Sequence, residues 1–211
     1  MITDRSRLRR TAPPRSKDER RAEVVRVALE LFANSGYEET TVDEIAAGAQ
    51  VSRRTFFHYF GSKADILFSL SQESLARLES AVGSQPTELS DLEAIGEAWT
   101  SFAEWSSETT GTLRARVMAL RKAAAGSTVL RGRQYEMHLA YQEAIARGLA
   151  TRKGLSTPDG SMRLAAAIGQ TVVNVAMTDW ARPGSGERRD VVAAKFALAR
   201  IVVRGAPLGS G

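Results

Sequence analysis

The chain has no cysteine in its 211 residues. That excludes disulfides, thiolate nucleophiles and cysteine-ligated metal centres, and it fits a reducing compartment. Histidine is nearly absent too: only His58 and His138 occur, and neither has an acid or second ligand at a useful spacing. A general-base or metal-dependent active site has little to be built from, so no enzymatic activity and no cofactor are expected. Long apolar runs are also missing. The most apolar stretch, 164–177, is interrupted by Gln170 and Asn174 and is shorter than the ~20 residues a bilayer span needs. The arginine-rich N-terminus lacks the apolar core of a secretory leader. No period-two alternation marks a strand, and no segment repeats. A soluble, cytoplasmic chain with no membrane contact is the expectation.

What is present suffices for a core: 43% of residues are hydrophobic and 25% charged, ordinary proportions for a globular protein. The net charge is +5, with 12 Lys/Arg against 9 Asp/Glu in residues 1–63 and 17 against 15 in the rest. Per residue the first third is the more basic, which favours a polyanionic partner without naming one. Residues 1–15 hold five arginines and the pair Pro13-Pro14. They read as a flexible basic arm, either a solvated tail or a segment that follows a nucleic-acid backbone.

Beyond the arm the chain reads as all-α, with about nine helices. Ser16 and Glu19 form a capping-box pattern ahead of Val25, Ala28, Leu29 and Phe32, which recur at helical spacing. Asn34-Ser35-Gly36 closes that helix. Thr41 with Glu44 is a second capping box, Ser52 a third start, and Ser62 with Asp65 a fourth. Four starts within fifty residues define a compact helical domain at 16–62. A connecting helix is predicted over 63–82. Longer helices follow over 90–107, 112–125, 128–151, 161–181 and 187–203, separated by glycine and proline breaks. They make a second domain at 83–205, and 206–211 is a frayed tail.

The informative segment is 40–67, TTVDEIAAGAQVSRRTFFHYFGSKADIL. Val42, Ile45, Ala46 and Ala49 give a short helix an apolar face. After a tight break, a second short helix places Phe56 and Phe60 on one side and Arg53, Arg54, Phe57 and His58 on the other. Two short helices with basic and aromatic side chains on the second suit a major-groove reader. Arginine matches guanine O6/N7, and an aromatic ring can press on a thymine methyl. Read from spacing alone, Arg53 and Arg54 could equally form a solvated face, and Phe57 could belong to the core.

The segment resembles the DNA-binding domain of the tetracycline-repressor (TetR) family, whose usual run is close to T-x-x-x-I-A-x-x-A-G-V-S-x-x-T-L-Y-x-H-F-x-S-K-x-x-L. The match falls on Thr41, Ile45, Ala46, Ala49, Val51, Ser52, Thr55, Phe60, Ser62, Lys63 and Leu67. Gln50 stands at the usual turn glycine, Tyr59 at the usual histidine, and Phe56-Phe57 at the usual Leu-Tyr. The resemblance implies an N-terminal three-helix helix-turn-helix domain and a C-terminal helical ligand-binding and dimerisation domain. It further implies that Thr41, Thr55, Tyr59 and Lys63 hold backbone phosphates of double-stranded DNA while Arg53, Arg54, Phe57 and His58 face base edges. The expected function is ligand-responsive transcriptional regulation: a homodimeric repressor on a palindromic operator, released by a small, largely apolar effector. The connecting helix would set the separation of the two readers.

Residues 83–211 carry no nucleotide loop and no nucleophile motif, but they are supplied with aromatic and sulfur side chains. Phe102, Trp105, Met118 and Tyr141 could line an apolar site together with Met177, with Arg121, His138 and Asn174 as its polar groups. Ordinary packing is the alternative for each of them. An acyl or aromatic compound is the expected ligand class. The last two helices are apolar around much of their circumference. Ala165, Gly169, Val172, Val173 and Ala176 on one, with Ala194, Leu198 and Ile201 on the other, are the expected dimer interface; a fully internal helix pair is the alternative. Two rival readings remain: an all-helical enzyme, which lacks acid–base groups, and an architectural DNA-binding protein, which would have no ligand site.

Overall fold

The computed structural model describes residues 16–68, 72–105 and 110–204; the basic arm at 1–15 and the tail at 206–211 lie outside the described residues. Among the described residues there are ten helices and no strand. The chain divides into two compact units between Ile66 and Leu67.

The first unit is assembled from short helices with strong local starts. Helix α1 (Lys17–Asn34) opens on Ser16, whose hydroxyl accepts from Glu19 N at 3.1 Å while Glu19 Oε2 accepts from Ser16 N at 2.8 Å. Helix α2 (Val42–Gly48) opens on the equivalent Thr41–Glu44 box. Helix α3 (Arg53–Tyr59) is capped by Ser52, which accepts from Thr55 N at 3.0 Å. These side chains satisfy amides that the first turn of a helix leaves without partners. The turn from α2 to α3 places Gln50 at φ +55°, a left-handed conformation in which a non-glycine residue is strained by about 1 kcal/mol. Val24, Ala28, Leu29, Phe32, Ile45, Phe56 and Phe60 are buried in this unit, and α2 packs on both α1 and α3.

The helix predicted over 63–82 is instead two: α4 (Lys63–Leu67) and α5 (Gln72–Gly83), with a turn at Phe68. This split accounts for ten helices where nine were expected.

The second unit contains α5, α6 (Asp91–Trp105), α7 (Thr110–Gly126), α8 (Thr128–Arg152), α9 (Gly160–Trp180) and α10 (Arg188–Val203). Helix α8 lies against α5, α7 and α9, and α6 against α5, α9 and α10. The core they enclose includes Leu78, Ile95, Trp99, Tyr141, Ile145, Leu149, Val173 and Phe196. Two glycines set the spacing. A Cβ on Gly148 would sit 2.6 Å from the Glu79 carbonyl oxygen, and one on Gly169 would sit 2.7 Å from Ile95 Cγ2; neither approach tolerates a side chain. Arg152, its side chain 1% exposed, ties the C-terminal end of α8 to the loop before α6. Its Nε donates to the Pro86 carbonyl at 3.1 Å, its Nη1 to Asp91 Oδ1 at 2.9 Å, and its Nη2 to the carbonyls of Pro86, Thr87 and Leu89.

This packing corrects part of the expected dimer surface. Gly169, Val173 and Ala176 are buried within the chain, and Ala165 and Val172 pack partly against the same core. Because α9 touches α6, α7, α8 and α10, these residues are its inward face. The outward apolar positions of α9 are Leu164 and Val175, and on α10 Leu198, Ile201 and Val202 are exposed, as is Ala194.

Candidate functional site

Helix α3 separates its side chains cleanly. Phe56 and Phe60 are inside, their rings 5.8 Å apart. Arg53, Arg54, Phe57 and His58 are all exposed, with 44% of Phe57 open to solvent. The helix thus offers one face that carries an aromatic ring and three nitrogen-bearing side chains to a partner. Arg54 and His58 make no hydrogen bond or ion pair among the described residues. Arg53 does: its Nη1 donates to both carboxylate oxygens of Asp43 on α2, at 2.7 and 2.8 Å, and its guanidinium carbon lies 5.4 Å from the Phe57 ring centre.

The four expected phosphate residues differ in what they have to offer. Tyr59 is half-buried and its hydroxyl makes no hydrogen bond among the described residues. Thr55 shares a 2.8 Å hydrogen bond with the Ser52 hydroxyl. Thr41 donates to Glu44 Oε2 from its backbone N–H at 2.8 Å and from its hydroxyl at 2.9 Å within its own cap, and these bonds hold the exposed Glu44 carboxyl below its ordinary pKa. Lys63 stands apart. Its ammonium donates to the carbonyls of Tyr37, Glu38 and Thr40 at 2.6, 3.0 and 3.0 Å, and lies 4.4 Å from the Tyr37 ring centre. An ammonium has three N–H donors, and all three already have acceptors. In this arrangement Lys63 clamps the α1–α2 loop, and a phosphate would have to displace one of those bonds.

In the second unit, Phe102, Tyr141 and Met177 join the core around Trp99. The Trp99 ring is 5.2 Å from Phe102 and 5.6 Å from Tyr141. Burial pushes the Tyr141 phenol well above its ordinary pKa, with the charge of Arg116 opposing. His138 and Asn174 come together, Asn174 Nδ2 lying 3.5 Å from His138 Nδ1, and Gln170 donates to Asn174 Oδ1 at 3.0 Å. Burial holds the His138 imidazole below its ordinary pKa. Arg121 is exposed and donates to the Thr178 hydroxyl on α9. Met118 is half exposed and stands outside the cluster, and the side chain of Trp105 lies outside the described residues.

Sequence reasoning missed two polar atoms there. Trp99 Nε1 and Gln170 Oε1 are buried and have no hydrogen-bond partner among the described residues. An unsatisfied buried donor or acceptor destabilises by roughly 1–3 kcal/mol. Gln170 could have been found from its interruption of the apolar run; nothing local distinguishes Trp99 from a packing residue.

Residues 24–70 match the family model described as "Bacterial regulatory proteins, tetR family". This span covers α2, α3, α4 and the buried half of α1. Over this span the chain is a TetR-family protein. It is accordingly a DNA-binding, helix-turn-helix transcriptional regulator. Similarity to known proteins extends beyond this span. The chain is 27% identical over 173 residues to the putative mycofactocin biosynthesis transcriptional regulator MftR of Mycobacterium tuberculosis, covering 81% of this chain and 84% of that protein. It is 29% identical over 167 residues to the transcriptional regulator TcmR of Streptomyces glaucescens, covering 76% and 72%. Its fold is similar to the TetR-family repressor FadR of Thermus thermophilus, solved in complex with lauroyl-CoA (TM-score 0.52, 23% identity, covering 90% of this chain and 97% of that one).

Proposed function

We propose that this regulator is a homodimeric repressor that holds a palindromic operator and releases it when a small, largely apolar molecule occupies its C-terminal unit. The observation that carries the reading is the face of α3: Arg53, Arg54, Phe57 and His58 exposed together, backed by buried Phe56 and Phe60. Tyr59 and Thr55 supply hydroxyls for phosphate, and Thr41 would do so by opening its cap. Phosphate contacts fix register, and base contacts select sequence.

Dimerisation is supported by Leu164, Val175, Leu198, Ile201 and Val202, large apolar side chains exposed on α9 and α10, two helices that pack on each other. A two-fold pair would then present two readers to half-sites about 34–36 Å apart. An effector site is supported by the Trp99–Phe102–Tyr141 cluster with Met177, the His138–Asn174–Gln170 chain, and the partnerless Trp99 Nε1 and Gln170 Oε1. A ligand supplying one acceptor and one donor would satisfy both atoms. The acyl-CoA bound by the similar FadR of Thermus thermophilus makes an acyl chain the first class to try. Whatever the ligand, it can weaken DNA binding only by its differential affinity for the two states.

Selection of bound duplexes from a random pool by the full chain tests the reading. A two-fold symmetric site is expected, and recovery of unrelated sequences would refute it. Arg54→Ala should relax preference at particular base pairs by ~1–3 kcal/mol per half-site; a uniform loss would move Arg54 to the phosphates. Lauroyl-CoA is the probe for release, expected to raise the melting temperature and to free the selected duplex.

A further inference from the structure

We propose that Asp43 is a specificity-determining positioning residue: it orients Arg53 so that the guanidinium edge carrying Nε and Nη2 is presented to a guanine. The inference rests on the reading of α3 as the DNA reader, and it goes beyond it, because Asp43 is on the preceding helix and has no part in that reading.

The geometry is specific. Both carboxylate oxygens of Asp43 accept from one nitrogen, Arg53 Nη1, at 2.7 and 2.8 Å. Nε and Nη2 make no hydrogen bond among the described residues, and these two nitrogens carry the parallel N–H pair that matches O6 and N7 of guanine. The Phe57 ring, 5.4 Å from the guanidinium carbon, borders the same group. Arg53 is thus constrained by a carboxylate and a ring while its bidentate edge stays open. An unconstrained arginine has several rotatable bonds to freeze on binding, and holding it beforehand removes part of that loss.

Stability does not account for the pair. The two side chains are 61% and 67% exposed, and ion pairs that open to solvent contribute little. A carboxylate in the first turn of α2 is favoured by the helix dipole, but that holds whether or not it reaches Arg53, and beside the reader helix it repels phosphate. Its neighbour Glu44 is engaged in the Thr41 cap, whereas Asp43 reaches ten residues ahead to α3. A repulsive group in that place is accounted for if it steers a base contact.

The test selects duplexes from a random pool with the full-length wild type, Asp43→Ala, Arg53→Ala and the double variant. The wild type is expected to enrich a two-fold site with one guanine per half-site that depends on Arg53. Asp43→Ala should lose about tenfold in preference at that base pair alone, with non-specific affinity equal or higher, and the double variant should match Arg53→Ala. Preferences are ratios within one pool, so a lower folded fraction does not move them. An unchanged preference in Asp43→Ala would overturn the assignment. So would a loss that persists when Arg53→Ala leaves the position untouched, because Asp43 would then read the base itself. If the wild type enriches nothing, the DNA-reading function fails first and this assignment fails with it.

Discussion

Lys63 shows what a residue's surroundings add to its identity. The family pattern puts it on a phosphate, yet its three donors hold the carbonyls of Tyr37, Glu38 and Thr40. Replacing it with methionine should destabilise the first unit by roughly 1–2 kcal/mol, since charge-assisted hydrogen bonds are lost and carbonyls are left without donors. Thermal melting reads that loss, and the salt dependence of DNA binding should stay at the wild-type slope. A slope smaller by about one phosphate per half-site would restore the phosphate role. His138 gives a pH effect. Burial lowers its folded-state pKa below the ordinary value, so between those two values the unfolded chain binds more protons. Stability is then complete above the ordinary histidine range and declines as pH falls toward the folded pKa. Comparing melting at pH 7.5 and pH 5, His138→Gln should show less of this acid loss than wild type; an equal loss would place its origin elsewhere.

At the scale of elements, local signals and packing signals part company. The starts of α1, α2 and α3 were legible because Ser16, Thr41 and Ser52 act on amides two or three residues away, within the same turn. The turn at Phe68 that ends α4 was not, because no glycine or proline marks it in the sequence. Buried Arg152 was equally illegible: its partners, Pro86 to Asp91, are more than sixty residues distant. Arg152→Met should cost about 2–3 kcal/mol by leaving the carbonyls of Pro86, Thr87 and Leu89 without its donors, Asp91 keeping its ion pair with Lys153, measured as a drop in the urea midpoint. A loss below 1 kcal/mol would show that water replaces those bonds. Gly148 is read the same way, only from the 2.6 Å approach of the Glu79 carbonyl to its missing Cβ.

The whole molecule depends on which apolar faces remain uncovered. Around α9, small and branched residues occur on every side, so composition alone could not rank one face as outward. Packing against α6, α8 and α10 claims Gly169, Val173 and Ala176 and leaves Leu164 and Val175 outside, as Leu198 and Ile201 are on α10. Leu198→Arg should therefore convert a dimer to a monomer in sedimentation and reduce affinity for a two-fold operator by at least ~10-fold, while affinity for a single half-site changes little. A variant that stays dimeric would place the interface on another surface. The reader, by contrast, was legible almost entire, because its fixed spacing of apolar, basic and capping residues is confined to 28 consecutive positions.

The sequence by itself determined the all-helical class, the helix starts, the reader segment and its exposed basic face. Each of these follows from contacts within a few turns of chain, or from a motif whose register is rigid. Only the tertiary structure decided which side of α9 is core, that Lys63 is a clamp, that Arg53 is held by Asp43, and that Trp99 and Gln170 are buried with polar atoms unmet. Those outcomes depend on groups brought together from distant positions or from different helices, where the same side chain could have met water, carbonyl or carboxylate.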